Sequence, residues 1–246
     1  MNLKKTMLAA SIVAAGFISV PAQASPITVG NVTWDPDYAL DFQAHSIAIH
    51  QFVAGNFSTA DGFGIISTMN GASSSVFYPT GELTFQFGDF LLIQSTTNVG
   101  ETVSTYSGGW VKVYSDSTPE ISNPSNPLTL NSTNTGDGDL WLSLVGHEIG
   151  GVSLVGTVTG LAANPTGVTG VGQLDVVGGV AAGNFDTNAM IDGADLTFSN
   201  SFTTFLNGVF DSIGTGNFKG ASIPEPASLT LVGLSLLGLG ALRRCK

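Results

Sequence analysis

Few residues of this chain combine the types and spacing that catalysis needs. His147-Glu148 begins like the zinc-peptidase motif H-E-x-x-H, in which a second histidine four residues on shares the helical face of the first. Position 151 is Gly151, and the surrounding "DLWLSLVGHEI" alternates as a strand does. His45 and His50 stand five positions apart. On a strand that spacing puts them on opposite faces, where they cannot chelate one ion. "GVSLVG" at 151–156 carries a serine but one residue too many for the nucleophile elbow G-x-S-x-G. "VGGVAAG" at 177–183 lacks the spacing of a nucleotide-binding loop, and small residues packing between sheets explain it better. A glycosidase needs two carboxyls about 5–9 Å apart across a cleft, a condition set by the fold. No catalytic residue is assigned. The expectation is a protein that is not an enzyme, with a carbohydrate-active enzyme as the least favoured alternative.

Two weaker chemistries remain. Calcium takes six to eight oxygens from carboxylates, amides and carbonyls, and three stretches offer them: "WDPDYALD" with Asp35, Asp37 and Asp41, "NTGDGDLW" with Asn134, Asp137 and Asp139, and "NFDTNAMIDGAD" with Asp186, Asn188, Asp192 and Asp195. None matches the twelve-residue EF-hand loop or a repeated nonapeptide. Asp137 and Asp139 are the leading candidates for a Ca²⁺ site, against the alternative that Asp, Asn and Gly are there to make turns. Aromatics are the other opening. In "GGWVKVYSD", Trp110 shares a strand face with Lys112 and Tyr114 and is the candidate for stacking on a sugar, against the alternative that large aromatics fill the core.

The elements that would carry these residues are strands. "GELTFQFGDFLLI" puts Leu83, Phe85 and Phe87 on one face and Thr84 and Gln86 on the other. "GGWVKVYSD" sets Val111 and Val113 opposite Trp110, and "DLWLSLVGHEI" aligns Leu140, Leu142 and Leu144. Such period-two stretches, bounded by Gly, Asn and Asp, read as an antiparallel all-β body spanning 25–221: a β-sandwich, jelly roll or barrel, with the sandwich or jelly roll preferred. Residues 115–139, rich in Ser, Thr, Asn and Pro, read as one long exposed loop with partial disorder. "TTFLNGVFDSI" at 203–213 is the one body segment with room for a helical turn or two.

Composition excludes whole classes of partner. Of seven basic residues, only Lys112 and Lys219 lie in the body, while all eighteen acids fall between Asp35 and Glu225. A product running from Ser25 to Pro226 carries two positive charges against eighteen negative, a formal −16. Such a surface repels nucleic acid and anionic lipid. The single cysteine, Cys245, sits in the last residues, so the body has no disulfide and must be held by its core.

Both ends read as addresses. Lys4 and Lys5, an apolar run to Val20, and the Ala22-Gln23-Ala24 box form a secretory signal peptide over 1–24, cut after Ala24 by signal peptidase once the Sec translocon has engaged it. At the other end, 222–246 divides into Pro224-Glu225-Pro226, an uncharged run over 227–242, and a basic stop at 243–246 with Arg243 and Arg244. As a helix the run is about 24 Å long, shorter than the ~30 Å hydrocarbon core. That makes it a short transmembrane helix suited to a transient anchor, with its basic end on the cytoplasmic side of the inner membrane. The two prolines keep the segment before it extended.

This tripartite tail resembles the PEP-CTERM sorting signal of Gram-negative bacteria that make extracellular polysaccharide. The resemblance implies recognition by an exosortase, an integral-membrane cysteine transpeptidase-like enzyme that cuts near Pro-Glu-Pro. The stretches "ELTFQFGDF", "GGWVKVY", "GDLWLSLVGH", "GVGQLDVVGGVAAGNFDTN", "GADLTFSNSF" and "GTGNFKGASIPEP" are similar to exported PEP-CTERM proteins of uncharacterised function from floc- and biofilm-forming proteobacteria. That resemblance supplies no site residue. It implies a structural or adhesive component of the cell surface or extracellular matrix, with polysaccharide as partner; a lectin-like glycan-binding module is the alternative.

Overall fold

The computed structural model describes residues 25–53, 58–161, 164–207 and 209–223. The signal peptide with Ala22 and Ala24, the Pro224-Glu225-Pro226 segment, the apolar run and the stop at Arg243 and Arg244 lie outside them. Among the described residues thirteen strands form, all paired antiparallel: β1 Ile27–Val29, β2 Val32–Trp34, β3 Phe42–Val53, β4 Thr59–Ile65, β5 Thr68–Met69, β6 Ala72–Ser73, β7 Glu82–Asn98, β8 Glu101–Asp116, β9 Asp139–Gly146, β10 Leu154–Leu161, β11 Asn164–Gly178, β12 Leu196–Asn207 and β13 Val209–Gly220. The all-β antiparallel expectation holds. Its closure is that of a barrel: β13 pairs with β3 from Gly220↔Phe42 to Phe210↔Val53, so the sheet returns on itself. Strands β9 and β10 share one position. β8 meets β10 along Glu101–Tyr106 and β9 along Trp110–Ser115, giving an eight-stranded barrel.

Alternation explains which side chains face inward, and two kinks change its phase. In β7, Leu83 and Phe85 are buried in the interior, but beyond Asp89 the buried residue is Phe90. In β8 the buried set is Thr102, Ser104 and Tyr106, then Val111, Val113 and Ser115. The switch falls between the Gly88↔Trp110 and Phe90↔Gly108 pairs, where Asp89 (φ 58°), Gly108 (φ 62°) and Gly109 (φ 89°) take positive φ while the register is kept. A third irregularity, in β9, corrects the expected alignment of Leu140, Leu142 and Leu144. A register shift opposite Val113 and Tyr114 turns Leu140 outward and buries both Trp141 and Leu142.

The interior is filled by phenylalanines laid across glycines of neighbouring strands. Gly64 faces Phe85 in the β4–β7 ladder, and Gly172 faces Phe198 in the β11–β12 ladder. A methyl group at either glycine would overlap the ring. The pairing lets a glycine-rich strand exclude water without a side chain of its own. At the end where β3 starts and β13 finishes, Trp34 stacks on Phe185 at 5.1 Å and stands edge-on to Trp141 at 5.8 Å. The β1–β2 hairpin is pinned there by the Trp141 indole N–H, which donates to the Val29 carbonyl at 2.9 Å.

The β8–β9 connection, 117–138, is a long and mostly exposed loop, as expected, but it is anchored rather than free. It lies on the outer wall. Its Ile121 and Leu130 pack against Ala48 and Ile65 in a second small core. The Glu82 carboxylate accepts the Glu120 and Ile121 N–H groups, Thr84 donates to the Thr135 carbonyl, and Gln86 donates to the Ser132 carbonyl. The segment 203–213 is strand on both sides of residue 208, as parts of β12 and β13, rather than helical.

Candidate functional site: the tail root and the outer wall

The body ends on a built junction. After Gly220, the Ser222 N–H donates to Asp41 Oδ2 at 3.0 Å and its hydroxyl to Oδ1 at 2.7 Å. The Ile223 N–H donates to the Asn184 carbonyl at 2.8 Å, and the Asn184 amide returns a bond to the Ile223 carbonyl at 3.1 Å. Both partners are themselves held. Asp41 has φ 57°; its N–H donates to Tyr38 O at 2.7 Å, and its carbonyl accepts the Asn70 amide at 2.8 Å. Asn184 sits in the helical turn Ala182–Phe185. The residues next to them, Phe42 and Phe185, are in ring contact at 4.5 Å, so one aromatic pair sets the spacing of both halves of the junction.

The outer wall carries the second constellation. Trp110 is half-buried on the outward face with Lys112 and Tyr114, as expected from its alternation. Its indole N–H donates to Asp89 Oδ2 at 2.7 Å, and Lys112 Nζ lies 5.1 Å from the ring centroid. Asp61 Oδ1 accepts the Asp89 N–H at 3.0 Å. Across the ladder Trp110 faces Val145, and Val145 faces Asp175. Asp175 holds His147 Nδ1 at 2.8 Å. A stripe of acid, indole, valine and acid–imidazole pair thus crosses strands β4, β7, β8, β9 and β11. Sequence reasoning found Trp110 alone. Asp89 and Asp175 come from distant strands: Asp175 alternates with buried Leu174, but strict alternation puts Asp89 on the face of Leu83 and Phe85, and only the phase change there turns it outward. Lys112 occupies one face of the indole, leaving at most the other for a sugar.

Asp195 and Glu148 serve the backbone. Asp195, 3% exposed, accepts N–H bonds from Thr187, Asn188 and Val176 at 2.7, 2.7 and 2.8 Å. Glu148 accepts the Gly108 N–H at 2.9 Å. Asp137 and Asp139 are both exposed. Asp139 lines an open groove of about 600 Å³ with Asn31, Tyr78, Ser115 and Ser117. Among the described residues no group of three or more His, Cys, Asp or Glu side chains comes together to hold a metal. Burial pushes the Tyr78 phenol above its usual range, and the charges of Asp116 and Asp139 push the same way. Burial, and then Lys219, lowers His45. Ser153 of "GVSLVG" is buried and donates to the Gly108 carbonyl at 2.7 Å, an orientation into the wall.

Inside the barrel, cavities of about 40 and 30 Å³ share Gln51, Ala60, Leu154 and Asn200. A water needs roughly 10–15 Å³ of such space. These cavities are of water size and far below that of a sugar. Gln51, whose Oε1 finds no hydrogen-bond partner among the described residues, lines both.

Residues 222–244 match the family model for the PEP-CTERM protein-sorting motif, starting at the serine that Asp41 holds. The chain is therefore an exported protein that transits a membrane. More particularly, it carries a PEP-CTERM sorting motif over 222–244, which implies an exosortase as its processing partner. No curated protein matches the chain. Among the described residues no helix is long and apolar enough to cross a membrane.

Proposed function

We propose that the barrel is a non-enzymatic structural or adhesive component of the extracellular polysaccharide matrix, delivered through the Sec translocon, trimmed by signal peptidase and released from its membrane intermediate by exosortase. The observation that carries this reading is the sorting motif at 222–244, which begins where the folded body ends. The outward surface fits the destination: a product from Ser25 to Pro226 with two lysines against eighteen acids stays soluble outside the cell. Intact mass spectrometry of the protein from its host, with and without exosortase, tests the reading together with fractionation of the matrix. The expected result is a chain that starts at Ser25, has lost the residues beyond the Pro224–Pro226 region only when the enzyme is present, and is enriched in the matrix fraction. A chain that keeps Lys246 in both strains, or a shortened chain found only in the medium, contradicts it.

The wall stripe favours a second reading, a lectin-like module that uses Trp110 on a glycan. Trp110→Ala would then abolish retention on purified exopolysaccharide with the barrel still folded by circular dichroism. Unchanged retention removes this reading and leaves the structural one.

A further inference from the structure

We propose that Asp41 and Asn184 are positioning residues that set the rate of tail processing, because the folded body and the processing enzyme compete for the same two residues. The proposal rests on the sorting reading above. Enzymes and receptors that take an extended peptide hold it through its main-chain N–H and C=O groups. At the root of the tail those groups are occupied. Asn184 takes both the N–H and the carbonyl of Ile223, and Asp41 takes the N–H and the hydroxyl of Ser222. Both residues fall within the sorting motif, which spans 222–244.

Geometry sharpens the competition. From Ile223 to Ala227, where the apolar run begins, the chain spans four residues and reaches about 14 Å at full extension. A body still clamped at Ile223 is thereby held within that reach of the start of the apolar run. Cleavage then draws on the fraction of molecules in which the root has peeled from Asp41 and Asn184, and a binder of a minor state acts in proportion to that state's population. The clamp is also stiff. Asp41 is fixed by Tyr38 and Asn70, and Phe42 against Phe185 couples it to Asn184, so the root leaves as a unit rather than fraying.

The test is a pulse-chase of the full-length chain in the exosortase-bearing host, comparing wild type, Asp41→Ala, Asn184→Ala and a control, Val158→Ala, which trims a buried interior residue of the barrel. Asp41→Ala is expected to shorten about tenfold faster, in line with the loss of charge-assisted bonds, and Asn184→Ala by a smaller factor. Amide exchange at Ser222 and Ile223 should quicken in both. Val158→Ala should lower Tm without changing the processing rate. Processing that is unchanged or slower when exchange at Ser222 and Ile223 has quickened overturns the proposal, as does equal acceleration by Val158→Ala. Should Asp41→Ala fail to fold, Asn184→Ala carries the comparison alone. If no variant, wild type included, is ever shortened, the sorting reading itself falls and the proposal with it.

Discussion

The acids of this protein act mainly on its own backbone. With only two lysines in the body, carboxylates turn to the donors that every strand end and turn leaves unpaired. Asp195 takes three N–H groups from two segments and ties the end of β11 to the turn before β12. Its loss would leave those donors short of partners in a buried place. Asp195→Ala is therefore expected to cost about 3 kcal/mol or more, read as a fall in the urea midpoint that added calcium does not restore. The sequence pattern of Asp and Asn in "NFDTNAMIDGAD" was legible as a cluster of oxygen ligands and as turn chemistry alike. Those readings part only when the N–H groups that face each carboxylate are known, and Val176, nineteen residues from Asp195, supplies one of them. Trp110 was legible for a simpler reason: its outward position follows from strand period alone.

At the scale of elements, alternation revealed the strands, while their pairing decided everything that alternation could not. Leu83 and Phe85 share a face as read, and that face is the interior, but the phase change at Asp89 and Gly109 depends on both strands kinking at the same rung. Closure of the barrel joins β3 to β13 across most of the chain, a contact that no local pattern announces. The loop 117–138 is the clearest case. Its polar composition resembles a free linker, yet Ile121 and Leu130 are apolar enough to seat it on Ala48 and Ile65. Glu82 beneath it makes the seating depend on pH. Burial raises the Glu82 carboxyl above its usual 4.5, and the nearby Asp116 and Asp137 add to this, against the Glu120 and Ile121 N–H groups that favour the charged form. A folded-state pKa above the unfolded value means the folded state holds the proton more tightly. The Glu82 contribution is then fully present below about pH 4.5 and fades as pH rises through the folded pKa. Amide exchange in 117–138, compared between wild type and Glu82→Gln, should show protection falling with rising pH in wild type and less so in the variant. Parallel profiles would show that Glu82 is not its source. Leu130→Ala tests the apolar half of the seat: it should open the loop to protease, at a cost of about 2–3 kcal/mol, while the barrel strands keep their exchange protection.

For the whole molecule the governing quantity is charge. A barrel with a formal −16 after processing, and with Lys112 and Lys219 as its cations, folds against its own repulsion. No disulfide offsets this, because Cys245 lies in the tail. Interior packing must do so: the phenylalanines over glycines, and the Trp34, Trp141 and Phe185 plug that closes one end. Repulsion between exposed carboxylates reaches over a Debye length, about 10 Å at 0.1 M salt and about 30 Å at 0.01 M. Raising NaCl from about 10 to 150 mM should thus raise Tm by several degrees, where most single-domain proteins with balanced charge move little. Divalent ions separate diffuse screening from a site. Screening depends on valence, so CaCl₂ and MgCl₂ at matched ionic strength should raise Tm equally. That is the expected outcome, since Asp137 and Asp139 gather no third carboxylate or histidine among the described residues. A calcium effect that exceeds that of magnesium and disappears in Asp139→Asn would instead place a cation at the loop before β9. It would also offer the acidic body a bridge to anionic polysaccharide, which its bare charge would otherwise repel.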